Sequence, residues 1–369
     1  MNAQKLSDLI ADLTGSGTVP AVSIAVGVDG KMVYRKAFGS IYETGMAINA
    51  ATPFDIASMT KIFTGIVFMQ LVEQGKISLS DPICKLFPQM GGIKPIESDG
   101  RVVDYCDANK VTWRNVLTHS TGIAWTREKT RPSLPGLGEG LDVIYELPFA
   151  YQPGESMVYT DIPFILMGKA MELIESLPLD RIVEKNLLLP LGLQRSGYRR
   201  LSDPSGFVCG KHRIPPTEYD DAFRMKRIWE EVHDENAWQL DGVSAHAGIF
   251  STAEDVCRLM MAFENWRTSE TGLLSPETVK EMTRLQTELN GERRGLMWQL
   301  SSLENSYTSV LSGSAYGHSG FTGCFAWNDP ERKISVVLLS NDVYNGRGSR
   351  QLFRFRKDIL EKVLEQTLV

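Results

Sequence analysis

The cysteines of this sequence are poorly arranged for cross-linking. There are five, Cys84, Cys106, Cys209, Cys257 and Cys324, an odd number, widely spaced and without a C-x-x-C pair. That pattern sets aside a disulfide framework and a thiolate zinc site, and reduced thiols are expected. Long apolar runs are missing as well. The most hydrophobic stretch, 62–72, is bounded by Lys61 and Glu73, well short of the roughly 20 apolar residues a membrane helix needs. The first segment, MNAQKLSDLIADLTGSG, lacks the basic start and apolar core of a secretion signal. It reads instead as an amphipathic helix with Leu6, Leu9, Ile10 and Leu13 on one side, and a cytoplasmic location is expected. No basic tract exists beyond pairs such as Arg199-Arg200 and Arg293-Arg294, and the net charge is -6, so neither nucleic acid nor a membrane surface is an expected partner. Internal repeats and low-complexity tracts are also absent.

What remains is globular. Of 369 residues, 43% are hydrophobic and 23% charged, enough to build a sizeable core. "AVSIAVGV" and "KMVYRKAFG" flank Asp29-Gly30, a strong hairpin signal. Near the other end, "CFAWNDPERKISVVLLSND" places two β-rich runs around Asp329-Pro330, and "RQLFRFRKDILEKVLEQTL" closes as a helix. Strands at both ends, each with a helix beyond, predict an α/β fold whose antiparallel sheet is built from both chain ends and flanked by helices. A mostly helical region is inserted between them. The expectation is one domain over 1–369, with an α/β part at about 1–57 and 286–369 and a mostly helical part at about 58–285. The junction of two such parts is a common place for a pocket.

One helical pattern begins oddly. In "FDIASMTKIFTGIVFMQL", residues 54–71, Ser58 and Lys61 stand one turn apart on one face of an otherwise apolar helix. Near the helix start the serine hydroxyl lies at the positive end of the helix dipole and its N–H is free to meet an anion. Lys61 can reach the serine oxygen and take its proton. Of all the lysines only Lys61 has a serine three residues before it, a match that chance alone supplies about once at an average serine content of roughly 7%. The weight therefore rests on partners. "YQPGESMVYTDIPFILMG" puts Tyr159, Thr160 and Asp161 between a turn and a helix, where a loop phenol could share the base role and later protonate a leaving group. "AYGHSGFTGCFAW" puts His318, Ser319 and Gly320 on a strand, with glycines that would admit a ligand to the backbone and with the Phe321 N–H as a second oxyanion donor.

Together these segments resemble the β-lactamase-like and penicillin-binding serine hydrolases, in the branch of class C β-lactamases, esterases and D-aminopeptidases. That family's S-x-x-K, Y-x-N and K-T-G or H-x-G marks are matched by Ser58-Met59-Thr60-Lys61, Tyr159-Thr160-Asp161 and His318-Ser319-Gly320. "LTHSTGI" at 117–123 looks like a run that is structural in the branch. "VHDENAWQLDGVSAHAGIFSTAEDVCRLM" at 232–260 is similar to the penicillin-binding-protein-4B-like subgroup. The resemblance implies a β-lactamase/transpeptidase-like fold and an acyl-serine mechanism. Ser58, Lys61 and Tyr159 would be catalytic, Ser58 and Phe321 the oxyanion hole, and Asp161, His318, Ser319 and Gly320 substrate-binding.

Two departures bear on the substrate. His318 stands where a lysine would be a permanent cation, and its ordinary pKa near 6.5 leaves it mostly neutral. Asp161 replaces an amide with a carboxylate beside Lys61. A small ester, D-amino-acid amide or peptide that is neutral or amine-bearing near its carbonyl is expected, with weak or no β-lactamase activity, ahead of a true β-lactamase or a D,D-carboxypeptidase. An acyltransferase would use the same residues, and the choice of base between Lys61 and Tyr159 stays open. His233, Asp234 and His246 match no standard metal-ligand spacing and are expected to fix a loop at the pocket edge. The reading calls for no cofactor and no metal, and it leaves the oligomeric state open.

Overall fold

The computed structural model describes residues 4–123, 133–207, 213–269, 271–289, 291–302 and 306–367. Cys209 lies outside them, and the four described cysteines are free. The long helices and the strands of the main sheet run along the chain as α1 (Gln4–Gly15), β1 (Ala21–Val28), β2 (Lys31–Ile41), β3 (Met46–Ala47), α2 (Thr60–Glu73), α3 (Ile162–Glu175), α4 (Ala253–Trp266), β4 (Thr287–Leu289), β5 (Glu292–Arg294), β6 (Gln299–Leu300), β7 (Tyr316–Ser319), β8 (Phe325–Asp329), β9 (Ile334–Ser340) and α5 (Leu352–Thr367).

The nine strands form one antiparallel sheet in the order β4-β5-β6-β7-β8-β9-β1-β2-β3. Its centre is the pairing of the two chain ends: β1 lies against β9 from Val22 opposite Ser340 to Val28 opposite Ile334. The hairpin joining β1 to β2 turns at Asp29 and Gly30, both with positive φ, 50° and 72°, the conformation that turn demands and that Gly supplies without strain.

Alternation along these strands builds two layers. Val22, Ile24 and Val26 of β1, Phe325 and Trp327 of β8, and Val336 and Leu338 of β9 face α1 and α5, which bury Leu6, Ile10, Leu13, Ile359, Leu360 and Val363 against them. The opposite face carries the small residues Ala21, Ala25 and Ala326 with Val337 and Leu339, and it packs into the larger core that holds α4 and α2. Twelve of the fourteen residues of α2 are buried, as expected of a helix that is apolar on all sides. Its buried polar groups find partners on other segments: the Thr64 hydroxyl donates to the Ala245 carbonyl at 2.7 Å and the Gln70 amide to the Asn186 carbonyl at 3.1 Å.

The inserted region is less uniformly helical than its sequence pattern predicts. It contains an exposed hairpin, Ile93–Ser98 with Arg101–Asp107, turning at Asp99 and Gly100, again both at positive φ. A small sheet pairs Phe54–Asp55 with Ile249–Ser251, and so brings the loop before residue 249 against the start of α2. No helix among the described residues is long and apolar enough to cross a membrane.

Because α1 covers one face of the sheet, shortening a buried side chain there tests the two-layer arrangement. Ile10→Ala should cost about 2–5 kcal/mol in urea denaturation with catalytic parameters unchanged; an unshifted midpoint would remove α1 from the core.

Candidate active site

Ser58 lies in a single 3₁₀ turn, Ala57–Met59, that feeds directly into α2. The residue before it, Ala57, is held at φ 47°, a left-handed conformation that costs an alanine free energy and persists only when its surroundings enforce it. The enforcing group is Asp55. Its buried carboxylate accepts the Ala57 N–H at 2.8 Å through one oxygen and the His233 N–H at 2.6 Å through the other. The Asp55 carbonyl accepts the Thr322 hydroxyl at 2.8 Å. One residue thus ties together the serine turn, the loop at 233 and the turn that follows β7.

Lys61, on the first turn of α2, is fully buried, and its ammonium faces four oxygens. It donates to Ser58 Oγ at 3.2 Å, Tyr159 Oη at 2.8 Å, Asp161 Oδ1 at 2.6 Å and the His246 carbonyl at 3.4 Å. A buried ammonium requires such compensation. Asp161 caps the N-terminus of α3 by position, yet its side chain makes no capping bond; it reaches Lys61, with the helix dipole favouring its negative charge.

His318 is buried on β7, and its Nδ1–H donates to the Ser319 carbonyl at 2.8 Å. That bond fixes the tautomer and leaves Nε2 as an acceptor, which has no partner among the described residues. Burial, with the charges of Lys61 and Arg294 adding to it, pushes its pKa down to about 3, so the ring is neutral at physiological pH. Gly320, just after β7, is under a steric constraint: a Cβ there would collide with the Ile56 backbone oxygen. The close approach seen here is protein on protein, the residue after β7 lying against the serine turn.

Ser58, Tyr159, Asp161, His318, Ser319, Gly320 and Phe321 all line one cavity of about 390 Å³ at the junction of sheet and inserted region. Every residue the sequence selected for the site is on that wall except Lys61, which lies beneath it. His233 and Asp234 line the same cavity. Asp234 caps the short helix Glu235–Gln239 through the Ala237 N–H. His233 bonds Glu218 at 2.8 Å through Nε2 and stacks on the Phe321 ring at 5.5 Å. Asp161, Asp234 and His246 bring ligand-type atoms within 4.8 Å of one another. Their donors are committed to the protein: Lys61 bonds Asp161, while His246 engages Asp234 through Nε2 and Ser244 through Nδ1, each at 2.8 Å.

The sequence reading missed two arginines that line the same cavity, Arg294 and Arg350. Arg294 sits 5.4 Å from the Tyr159 ring centroid, touches Glu292 at 3.4 Å and leaves a buried Nε without a partner among the described residues. Arg350 lies 4.2 Å over the Phe321 ring and donates to its carbonyl at 3.4 Å. In the sequence Arg294 reads only as half of a basic pair. The available signal was the alternation of Glu292, Arg293 and Arg294 along a hairpin strand, which turns the first and third side chains to the same face.

The neutral state of His318 has a measurable consequence. Its folded pKa, about 3, lies below the unfolded value near 6.5. Between those values the unfolded chain binds a proton that the folded protein refuses, so stability falls as pH drops from about 6.5 toward 3. His318→Gln should remove one proton from that acid slope, about 1.4 kcal/mol per pH unit, in denaturation curves taken across the range. An unchanged slope would mean that the imidazole titrates alike in both states.

The family model described as Beta-lactamase matches residues 6–361. A relative from Escherichia coli (strain K12), named "Putative D-alanyl-D-alanine carboxypeptidase", is 29% identical over 349 residues, covering 87% of this chain and 78% of its own. One of the same name from Salmonella typhimurium is 29% identical over 352 residues, with the same coverage. Among solved structures, the octameric penicillin-binding protein homologue from Pyrococcus abyssi superposes with a TM-score of 0.74 at 22% identity, over 99% of this chain and 78% of that one. EstCE1, described as a hydrolase with promiscuous acyltransferase activity, superposes at 0.73 and 20% identity, over 97% and 98%. At such identities the structural likeness is one of fold. The match of the family model over nearly the whole length goes further, and by it this chain belongs to the β-lactamase family of serine hydrolases.

Proposed function

We propose that the protein hydrolyses an ester or amide through an acyl-Ser58 intermediate. The observation that carries this reading is the Lys61 ammonium, within hydrogen-bonding distance of both Ser58 Oγ and Tyr159 Oη beneath an open cavity. The pair can take a proton only in the form that has already lost one, as a Tyr159 phenolate beside the Lys61 ammonium or as a neutral Lys61 amine beside the phenol; in that form the serine proton passes to it as Oγ attacks the carbonyl carbon. The N–H groups of Ser58 and Phe321 are the proposed donors to the tetrahedral oxyanion. Collapse breaks the bond to the leaving group, which takes the proton back from Tyr159 or Lys61. Water then attacks the acyl-serine and regenerates the hydroxyl.

The cavity modifies the substrate expectation drawn from sequence. Asp161 is engaged with Lys61, so its charge is directed at the protein, and Arg294 supplies a cation that the neutral His318 does not. A peptide ending in a carboxylate is therefore as suitable a substrate as a small ester or a D-amino-acid amide. The names of the curated relatives agree with the first of these. Passage of the acyl group to an added alcohol or amine is the competing reading, and it uses the same intermediate.

The test is a panel of chromogenic short esters, D- and L-amino-acid anilides, a D-Ala-D-Ala peptide and a chromogenic cephalosporin, each with and without an acceptor alcohol. Ester, D-anilide or peptide turnover is expected, with little or none on the cephalosporin. Ser58→Ala should lower it by on the order of 10⁶. Turnover retained in that variant would overturn the assignment, and product diverted wholly to the acceptor would make the protein a transferase.

A further inference from the structure

The segment "LTHSTGI" at 117–123 resembles a structural run, and the mechanism above makes no use of it. Its histidine is nevertheless placed against Tyr159. His119 is 1% exposed, and its ring lies with its centroid 4.5 Å from that of Tyr159 and 5.0 Å from that of Phe164. Its contacts extend to the peptide groups on both sides of the tyrosine. The His119 carbonyl accepts the Val158 N–H at 3.1 Å, and its Nδ1 accepts the Thr160 N–H at 3.4 Å. The Tyr151 hydroxyl, 3.3 Å from the His119 carbonyl and 3.1 Å from the Val158 N–H, joins the same cluster.

The backbone of His119 is distorted in a way that suits this grip. Its φ is 56°, a left-handed conformation uncommon outside glycine, although histidine, like Asn and Asp, adopts it more often than other residues. The turn is held by its neighbours: the Thr112–Asn115 capping box opens the short helix before it, the Ser120 N–H donates to the Asn115 carbonyl at 2.9 Å, and the hydroxyls of Thr118 and Ser120 bond each other at 2.8 Å. A histidine needed only to fill volume has no use for a backbone that aims both its carbonyl and its ring nitrogen at one neighbouring segment.

We propose that His119 is a positioning residue for Tyr159, holding the phenol oxygen on Lys61 by gripping the peptide groups before and after the tyrosine. The inference rests on the acyl-serine reading. It explains how a tyrosine outside any helix or strand, and 38% exposed, is kept within 2.8 Å of a buried lysine. The grip requires a neutral ring, because only an unprotonated Nδ1 can accept the Thr160 N–H. Burial, and after it the charges of Arg294 and Lys61, holds the His119 pKa well below its ordinary value. Proton-bearing Nε2 is then directed away from the gripped segment, and it has no partner among the described residues.

Three variants separate positioning from simple packing, read as the rate at which a fluorophosphonate modifies Ser58 and as kcat and KM on whichever panel substrate is turned over. His119→Asn keeps an acceptor near the Nδ1 position and tolerates left-handed backbone; it should stay close to wild type. His119→Phe keeps a ring and loses the acceptor, and His119→Gln places its oxygen near Nε2 instead. Both should lose about a hundredfold in labelling rate and kcat, with KM near the wild-type value. In a Tyr159→Phe background the same changes should have no further effect, since the group being positioned is gone. Should His119→Phe fail to fold, the glutamine variant carries the comparison. Wild-type rates in His119→Gln, a rise in KM at constant kcat, or full additivity with Tyr159→Phe would each overturn the proposal. A wild-type protein that is not modified at Ser58 would overturn the acyl-serine reading and this inference with it.

Discussion

A single buried ammonium organises this molecule. Lys61 is wholly removed from solvent, and an unpaired charge in such a place is costly enough that it must be matched by nearby oxygens or lose its proton. The oxygens that match it come from separate stretches of chain: Ser58 one turn earlier, Tyr159 and Asp161 at the start of α3, and the carbonyl of His246 on the loop before residue 249. Each stretch must be delivered to the same point, and much of the fold can be understood as doing so. The small sheet between Phe54–Asp55 and Ile249–Ser251 brings the 246 loop to the start of α2. Asp55 then locks the serine turn to the loop at 233 and to the turn after β7.

The same constraint shapes the electrostatics of the cavity. The imidazoles of His318 and His119 both feel the charge of Lys61, and both are neutral, with opposite tautomers set by their hydrogen bonds. His318 donates through Nδ1 to a carbonyl, whereas His119 accepts through Nδ1 from a peptide N–H. Neither adds positive charge beside an ammonium already in place. The remaining cations, Arg294 and Arg350, lie on the cavity wall over the rings of Tyr159 and Phe321, where a guanidinium face can rest against an aromatic face. The cavity wall thus carries cations outside the third motif, on another strand and on the segment before α5.

The sheet was largely legible from sequence because its information is local. Alternating apolar residues in β1, β8 and β9 and the turn at Asp29-Gly30 specify strands and faces without reference to anything distant. The hairpin at 93–107 had an equally local signal in Asp99-Gly100, yet its exposed Val102, Val103 and Tyr105 gave no clean alternation between polar and apolar faces. The motif residues of the site were legible as well, Ser58 and Lys61 by a spacing that a helix turns into proximity, and Tyr159 and His318 by resemblance. Asp55, His119 and Arg294 were not. What each does depends on a partner far away in the chain, Asp55 on His233 and Thr322, His119 on Val158 and Thr160, Arg294 on the Tyr159 ring. Nothing in the spacing of an isolated carboxylate, imidazole or guanidinium announces such a partner.

The claim at the centre of this account is that Lys61 and Tyr159 serve a covalent step at Ser58. The most direct measurement is to stop the reaction of a chromogenic ester with acid within the first turnover and locate the added mass by peptide mapping. The account predicts an acyl group on the peptide that carries Ser58, formed far more slowly in Lys61→Met and Tyr159→Phe. Turnover with no adduct at that serine, or an adduct that forms at the wild-type rate without the lysine, would contradict it.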